Sequence, residues 1–111
     1  VDMITNTLTR SFPKGQSVEV INSKTIININ DYIKKKIDKE HVTKYIWDNL
    51  KKFKILPIKS PKKLAYPHFK FDINTPKDYR LIKNFTERFK IKINTKAEDI
   101  VKFKLIEIGE W

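Results

Sequence analysis

A strand that runs straight into a helix commits a chain to layered α/β packing, and residues 69–78 carry the pattern for such a junction. Phe69, Phe71 and Ile73 alternate with polar residues, the period of a half-buried strand. Thr75 is a good helix N-cap, and Pro76 suits the first helical position. Lys77 is read as standing where a capping box wants an acid, which leaves Asp78 to supply the favourable first-turn charge. In α/β folds a strand end that feeds a helix is where ligands and metals are placed. Asp72, Asn74 and Asp78 could together offer oxygen to a hard cation, with a further carboxylate needed from elsewhere. The plainer alternative is a well-capped βα turn that binds nothing.

The rest of the chain reads as short elements around this junction. Met3-Ile4-Thr5 ends a strand, and Ser17–Ile21 alternates as another, with Glu19 on the opposite face from Val18 and Val20. Between them Pro13 and Gly15 bracket a turn. Asn22 or Ser23 caps a helix whose apolar stripe is Ile26, Ile29 or Asn30, Ile33 and Ile37. A second helix carries Val42, Tyr45, Ile46, Asn49 and Leu50, with Trp47 on its flank as either a partner surface or a buried anchor. Ile55–Ile58 is a strand placed at a sheet edge by Pro57. A helix from Pro76 presents Tyr79, Ile82, Phe85, Thr86 and Phe89 and stops near Lys90. Ile91–Ile93 is a brief extended piece. Thr95 and Glu98 form a capping box for a last helix that Gly109 ends.

At 111 residues the chain holds one domain at most, and its lack of an initiator Met suggests a piece of something longer. It has no cysteine, which fits a reducing, cytoplasmic setting, and no apolar run long enough to cross a membrane as a helix. The net charge of +11 raises nucleic acid as a partner. Of 24 basic residues, however, only Arg10, Arg80 and Arg88 are arginine, the preferred fork for phosphates and bases. The lysines are spread along the whole chain rather than gathered on one element, which argues against a dedicated nucleic-acid face. Glycine-rich phosphate loops and nucleophile elbows are absent, the only glycines being Gly15 and Gly109, and no HExxH or CxxC zinc motif occurs. His41 and His68 lie far apart in sequence and form no triad pattern.

Three segments together resemble one enzyme group. Arg10-Ser11-Phe12-Pro13-Lys14-Gly15-Gln16-Ser17-Val18-Glu19-Val20 is similar to its R-[TS]-[FY]-P-x-G-x-D-V-E-V motif. Glu40-His41-Val42-Thr43-Lys44-Tyr45-Ile46 resembles E-H-V-T-P-Y-I, and Asp72-Ile73-Asn74-Thr75-Pro76-Lys77-Asp78 resembles T-V-D-T-P-E-D, in the same order and spacing. The group is the cytidylyltransferase superfamily, in the branch of spore coat polysaccharide biosynthesis protein F, related to acylneuraminate cytidylyltransferases.

The resemblance implies an α/β chain equal to the C-terminal half of a Rossmann-like nucleotidyltransferase, a short mixed sheet with about four helices. It implies transfer of CMP from CTP to an acidic sugar in surface polysaccharide biosynthesis, with Mg2+ as cofactor. The nucleotide loop and first metal aspartate would lie in an absent N-terminal half, so the chain alone would be inactive and would meet CTP and sugar only with that half. By the resemblance Arg10, Lys14 and Glu19 face the sugar, and Glu40, His41 and Thr43 contact substrate or brace the helix. Asp72 and Asn74 take the metal positions, and residues 17–50 contribute to a homodimer. Two departures bear on the activity. Ser17 replaces an acid of the first motif, and Asn74 replaces the metal aspartate. They favour the alternative of a non-catalytic interaction module on this fold, with a basic nucleic-acid-binding domain as the remaining reading.

Overall fold

The structure, a computed structural model, describes residues 1–33 and 42–111. The chain divides into two compact units. One is Val1–Thr9 with Val18–Ile58, and the other is Arg10–Ser17 with Lys59–Trp111. Among the described residues the fold is mixed α/β, with a short three-stranded mixed sheet and four α-helices.

The first unit holds the sheet. Strand β1 (Met3–Thr5) is central, flanked by antiparallel β2 (Glu19–Ile21) and parallel β3 (Ile55–Pro57). β3 is an edge strand, as Pro57 requires. The register sets Met3 beside Ile21 and Ile55, and Ile4 beside Val20 and Leu56. Successive residues alternate faces, so the Met3 row meets helices α1 (Ser23–Tyr32) and α2 (Val42–Asp48). Met3, Ile29, Ile33 and Ile46 form the core there, with Tyr45, Trp47 and Phe53 packed around them. Each of the four fully buried side chains contributes roughly 1.5–3 kcal/mol by leaving water. The buried face of α1 is Thr25 and Ile29, continued by Ile33 at its C-cap, whereas Ile26 is 38% exposed. The expected stripe is thus one residue out at its start, because the Asp2 carboxylate accepts from Thr25 Oγ1 at 2.6 Å and turns that face inward. Ile37 lies outside the described residues. The Ile4 row is left open: Val20 is 58% and Leu56 49% exposed.

Among the described residues the second unit contains no strand longer than one residue. Its first segment is seated on the second by hydrogen bonds. Ser60 N donates to Ser11 Oγ (2.9 Å), Lys14 N donates to Phe69 O (2.8 Å), and Phe71 N donates to Lys14 O (2.7 Å). The strand expected over 69–73 therefore shrinks to a single parallel bridge between Lys14 and Lys70. The alternation holds for Phe69 and Phe71 but not for Ile73, which is 50% exposed; among the described residues the loop of Lys14 is the only strand partner, and a turn at Gly15 limits that contact. Helices α3 (Pro76–Arg88) and α4 (Ala97–Glu107) complete the unit. Phe69, Val101 and Leu105 make its core. A ladder of ring contacts continues it, with Phe71 and Phe85 at 5.9 Å, Phe85 and Phe89 at 5.2 Å, and Phe89 and Phe103 at 5.1 Å.

Both helix starts differ from expectation in an informative way. Thr75 is the N-cap of α3, so Asp78, not Lys77, is the third helical residue, and the capping box is complete. At α4 the expected box from Thr95 to Glu98 does not form. Thr95 Oγ1 instead accepts from Lys92 N at 2.8 Å and closes a local turn, leaving Lys96 as the cap with no side-chain bond. The same turn replaces the extended piece expected at Ile91–Ile93. No helix among the described residues is long and apolar enough to cross a membrane.

Candidate functional site

The junction of residues 70–78 gathers three charged side chains. Lys70 and Asp72 are two apart on extended backbone, so they leave the chain on one side. Asp78, in the first turn of α3, turns back toward the incoming segment because it caps it. Its Oδ2 accepts from Asn74 N at 3.0 Å and from Thr75 N at 3.1 Å. The Lys70 ammonium lies between the two carboxylates. It donates to Asp72 Oδ1 (2.6 Å), Asp78 Oδ2 (3.1 Å) and the Asp72 carbonyl (3.2 Å). Asn74 Nδ2 donates to the other Asp72 oxygen at 3.1 Å.

These contacts set the protonation of the corner. The Lys70 hydrogen bond, helped by Asn74, holds the Asp72 carboxyl below its ordinary value. The Asn74 backbone N–H, then Lys70, does the same for Asp78. Bonding first to Asp72 and then to Asp78 raises the Lys70 ammonium above its ordinary value. All three are charged at neutral pH.

The resemblance puts Asp72 and Asn74 at metal positions, but this donor set does not fit a divalent ion by itself. An ammonium already occupies the space between the carboxylates, and the Asn74 amide turns its NH2 group toward Asp72. Asp78 is engaged in the cap. Among the described residues no cluster of three or more His, Asp or Glu side chains could hold an ion.

The corner opens onto a groove of about 570 Å³ within the second unit. Phe71, Leu81, Ile82 and Phe85 line it with apolar surface, and Arg88, Lys104 and the corner residues Lys70, Asp72 and Asp78 line it with charge. Lys104 is paired with Glu107 at 2.7 Å, and the Arg88 guanidinium sits 4.9 Å from the centre of the Phe89 ring. A largely apolar concavity with a few convergent charges is the usual form of a small-ligand site.

Arg10 and Lys14 are exposed on the first segment of the second unit, and Asp72 and Asn74 lie on its second segment. Glu19 and the half-buried Thr43 belong to the first unit. Glu40 and His41 lie outside the described residues. Glu19 accepts from Trp47 Nε1 at 2.9 Å, which accounts for both residues: Trp47 is half-buried against the core with its N–H satisfied by the β2 carboxylate. The sequence reading missed Lys70. The signal was present as a cation and an acid two residues apart before a capping acid.

No known protein-family profile matches the chain. An uncharacterized protein of Methanocaldococcus jannaschii is 30% identical over 95 residues, spanning 86% of this chain and 39% of that protein. The solved structure of a cytidylyltransferase from Leptospira borgpetersenii serovar Hardjo-bovis superposes with a TM-score of 0.81 over 98% of this chain at 18% identity. This chain spans 44% of that one, so it covers less than half the length of either similar protein. At that identity the likeness is one of fold, and the fold of this chain is cytidylyltransferase-like.

Proposed function

We propose that the chain is the sugar-binding and dimerising part of a nucleotide-sugar cytidylyltransferase that moves CMP from CTP to an acidic sugar for surface polysaccharide. The observation that carries this reading is the superposition over nearly the whole chain on a cytidylyltransferase. The three ordered motifs of the sequence support it. In this reading the chain is one part of a cytoplasmic enzyme and acts with a nucleotide-binding half. Mg2+, where used, is held chiefly by carboxylates of that half, since Asp72 and Asn74 do not suffice. Arg10 and Lys14 meet the anionic sugar, and the segment 17–50 meets a second copy.

The test is to express the chain with the nucleotide-binding half of a related cytidylyltransferase and measure pyrophosphate release from CTP with candidate acidic sugars. Release that depends on both parts is expected. An assembled complex that releases none with any of them would remove the catalytic reading. One observation favours the non-catalytic module as the second reading: Lys70 and Asn74 already satisfy the Asp72 carboxylate.

A further inference from the structure

We propose that Lys70 is the resident cation of the corner at the head of α3, standing where a divalent ion would otherwise sit, so that the corner is built to hold together without metal. Three oxygens surround one nitrogen: Asp72 Oδ1 at 2.6 Å, Asp78 Oδ2 at 3.1 Å and the Asp72 carbonyl at 3.2 Å. An ammonium has three protons and no lone pair, so this set satisfies it completely. Carboxylate and carbonyl oxygens converging on one point are the ligand types a hard cation takes. Here that point is filled by a side chain attached two residues before Asp72, and a tethered cation competes at high effective concentration against one that is free in solution. The remaining Asp72 oxygen receives the Asn74 amide, and Asp78 Oδ2 also receives the N–H groups of Asn74 and Thr75. A divalent ion would have to displace Lys70 and then sit beside its positive charge. This holds whether or not the chain serves nucleotidyl transfer.

The experiment uses Mn2+ alone as a paramagnetic probe in amide 1H–15N spectra of the wild type, Lys70→Met, and Lys70→Met combined with Asp72→Asn. In the wild type the Asn74 and Thr75 signals keep their intensity at millimolar Mn2+. In Lys70→Met they broaden at Mn2+ concentrations about tenfold lower or less, as expected when a like charge leaves contact distance, and Asp72→Asn restores them. Wild-type broadening at the same concentrations as the variant would overturn the proposal. So would a folded Lys70→Met that shows none. If Lys70→Met does not fold, the ammonium 1H–15N signal of wild-type Lys70 decides. Its persistence in millimolar Mg2+ supports the proposal, and its loss overturns it.

Discussion

Gly15 is where the fold of the second unit is least tolerant of change. Its φ of +101° lies where L side chains rarely go, and a Cβ there would meet the carbonyl carbon of Phe71 at 2.8 Å and the Asp72 nitrogen at 2.9 Å. Backbone faces backbone at that point, so neither side can swing away. Gly15→Ala should cost about 2–4 kcal/mol, strain and overlap together, read as a lower urea midpoint. Lys90 is the opposite case. It ends α3 at φ +50°, with its own N–H and that of Ile91 donating to Glu87 O and Thr86 O in a Schellman turn. Gly109 fills the equivalent place after α4. Lys90→Gly should therefore raise stability, by up to about 1 kcal/mol.

At the scale of elements, caps and tethers decide. Thr75→Ala removes the side-chain half of the α3 box and should lower stability by about 1 kcal/mol in thermal unfolding. Asp2 ties three elements together: it accepts from Thr25 Oγ1 in α1 and from Lys54 N at 2.7 Å just before β3, while its own chain enters β1. Those bonds, the Thr25 hydroxyl first, hold its carboxyl below the ordinary value. The stabilisation is present above the unfolded carboxyl value near 3.9 and is lost as pH falls through the lower folded value. Asp2→Asn should thus destabilise at neutral pH and flatten the acid limb of a pH–stability curve. Sequence reading captured what local chemistry controls: Thr75 and Pro76 opening a helix, Gly109 closing one, and Pro57 at an edge. It failed where a partner distant in sequence chose the outcome. Thr25 is buried because of Asp2, residues 69–73 pair only as far as Lys14 allows, and Thr95 spends its hydroxyl on Lys92. The same limit hid Lys70, whose role depends on Asp78 reaching back from the helix.

At the scale of the whole molecule, the sheet of the first unit leaves an apolar face exposed among the described residues. Val18 (56%), Val20, Leu56 and Ile58 (45%) are large, apolar and exposed within one unit. The proposed homodimer gives that face a use. Sedimentation should show association that rises with concentration and weakens in Val20→Lys with Leu56→Lys. A monomer at all concentrations would remove the self-association. The dispersed lysine charge bears on nucleic acid in the same way: binding to duplex DNA should be feeble and lack the steep salt slope of a phosphate-tracking face.

The path of the chain through its two units also sets a schedule. Residues 10–17 leave the first unit and belong to the second, whose remaining residues come only after position 58. On the ribosome the sheet can close as soon as β3 emerges, while the Lys14 loop is made early and must wait for Phe69 and Phe71. A nascent chain stalled before those residues should therefore be protease-sensitive at residues 10–17 and nowhere in β1 or β3, and releasing the stall should seal that loop last.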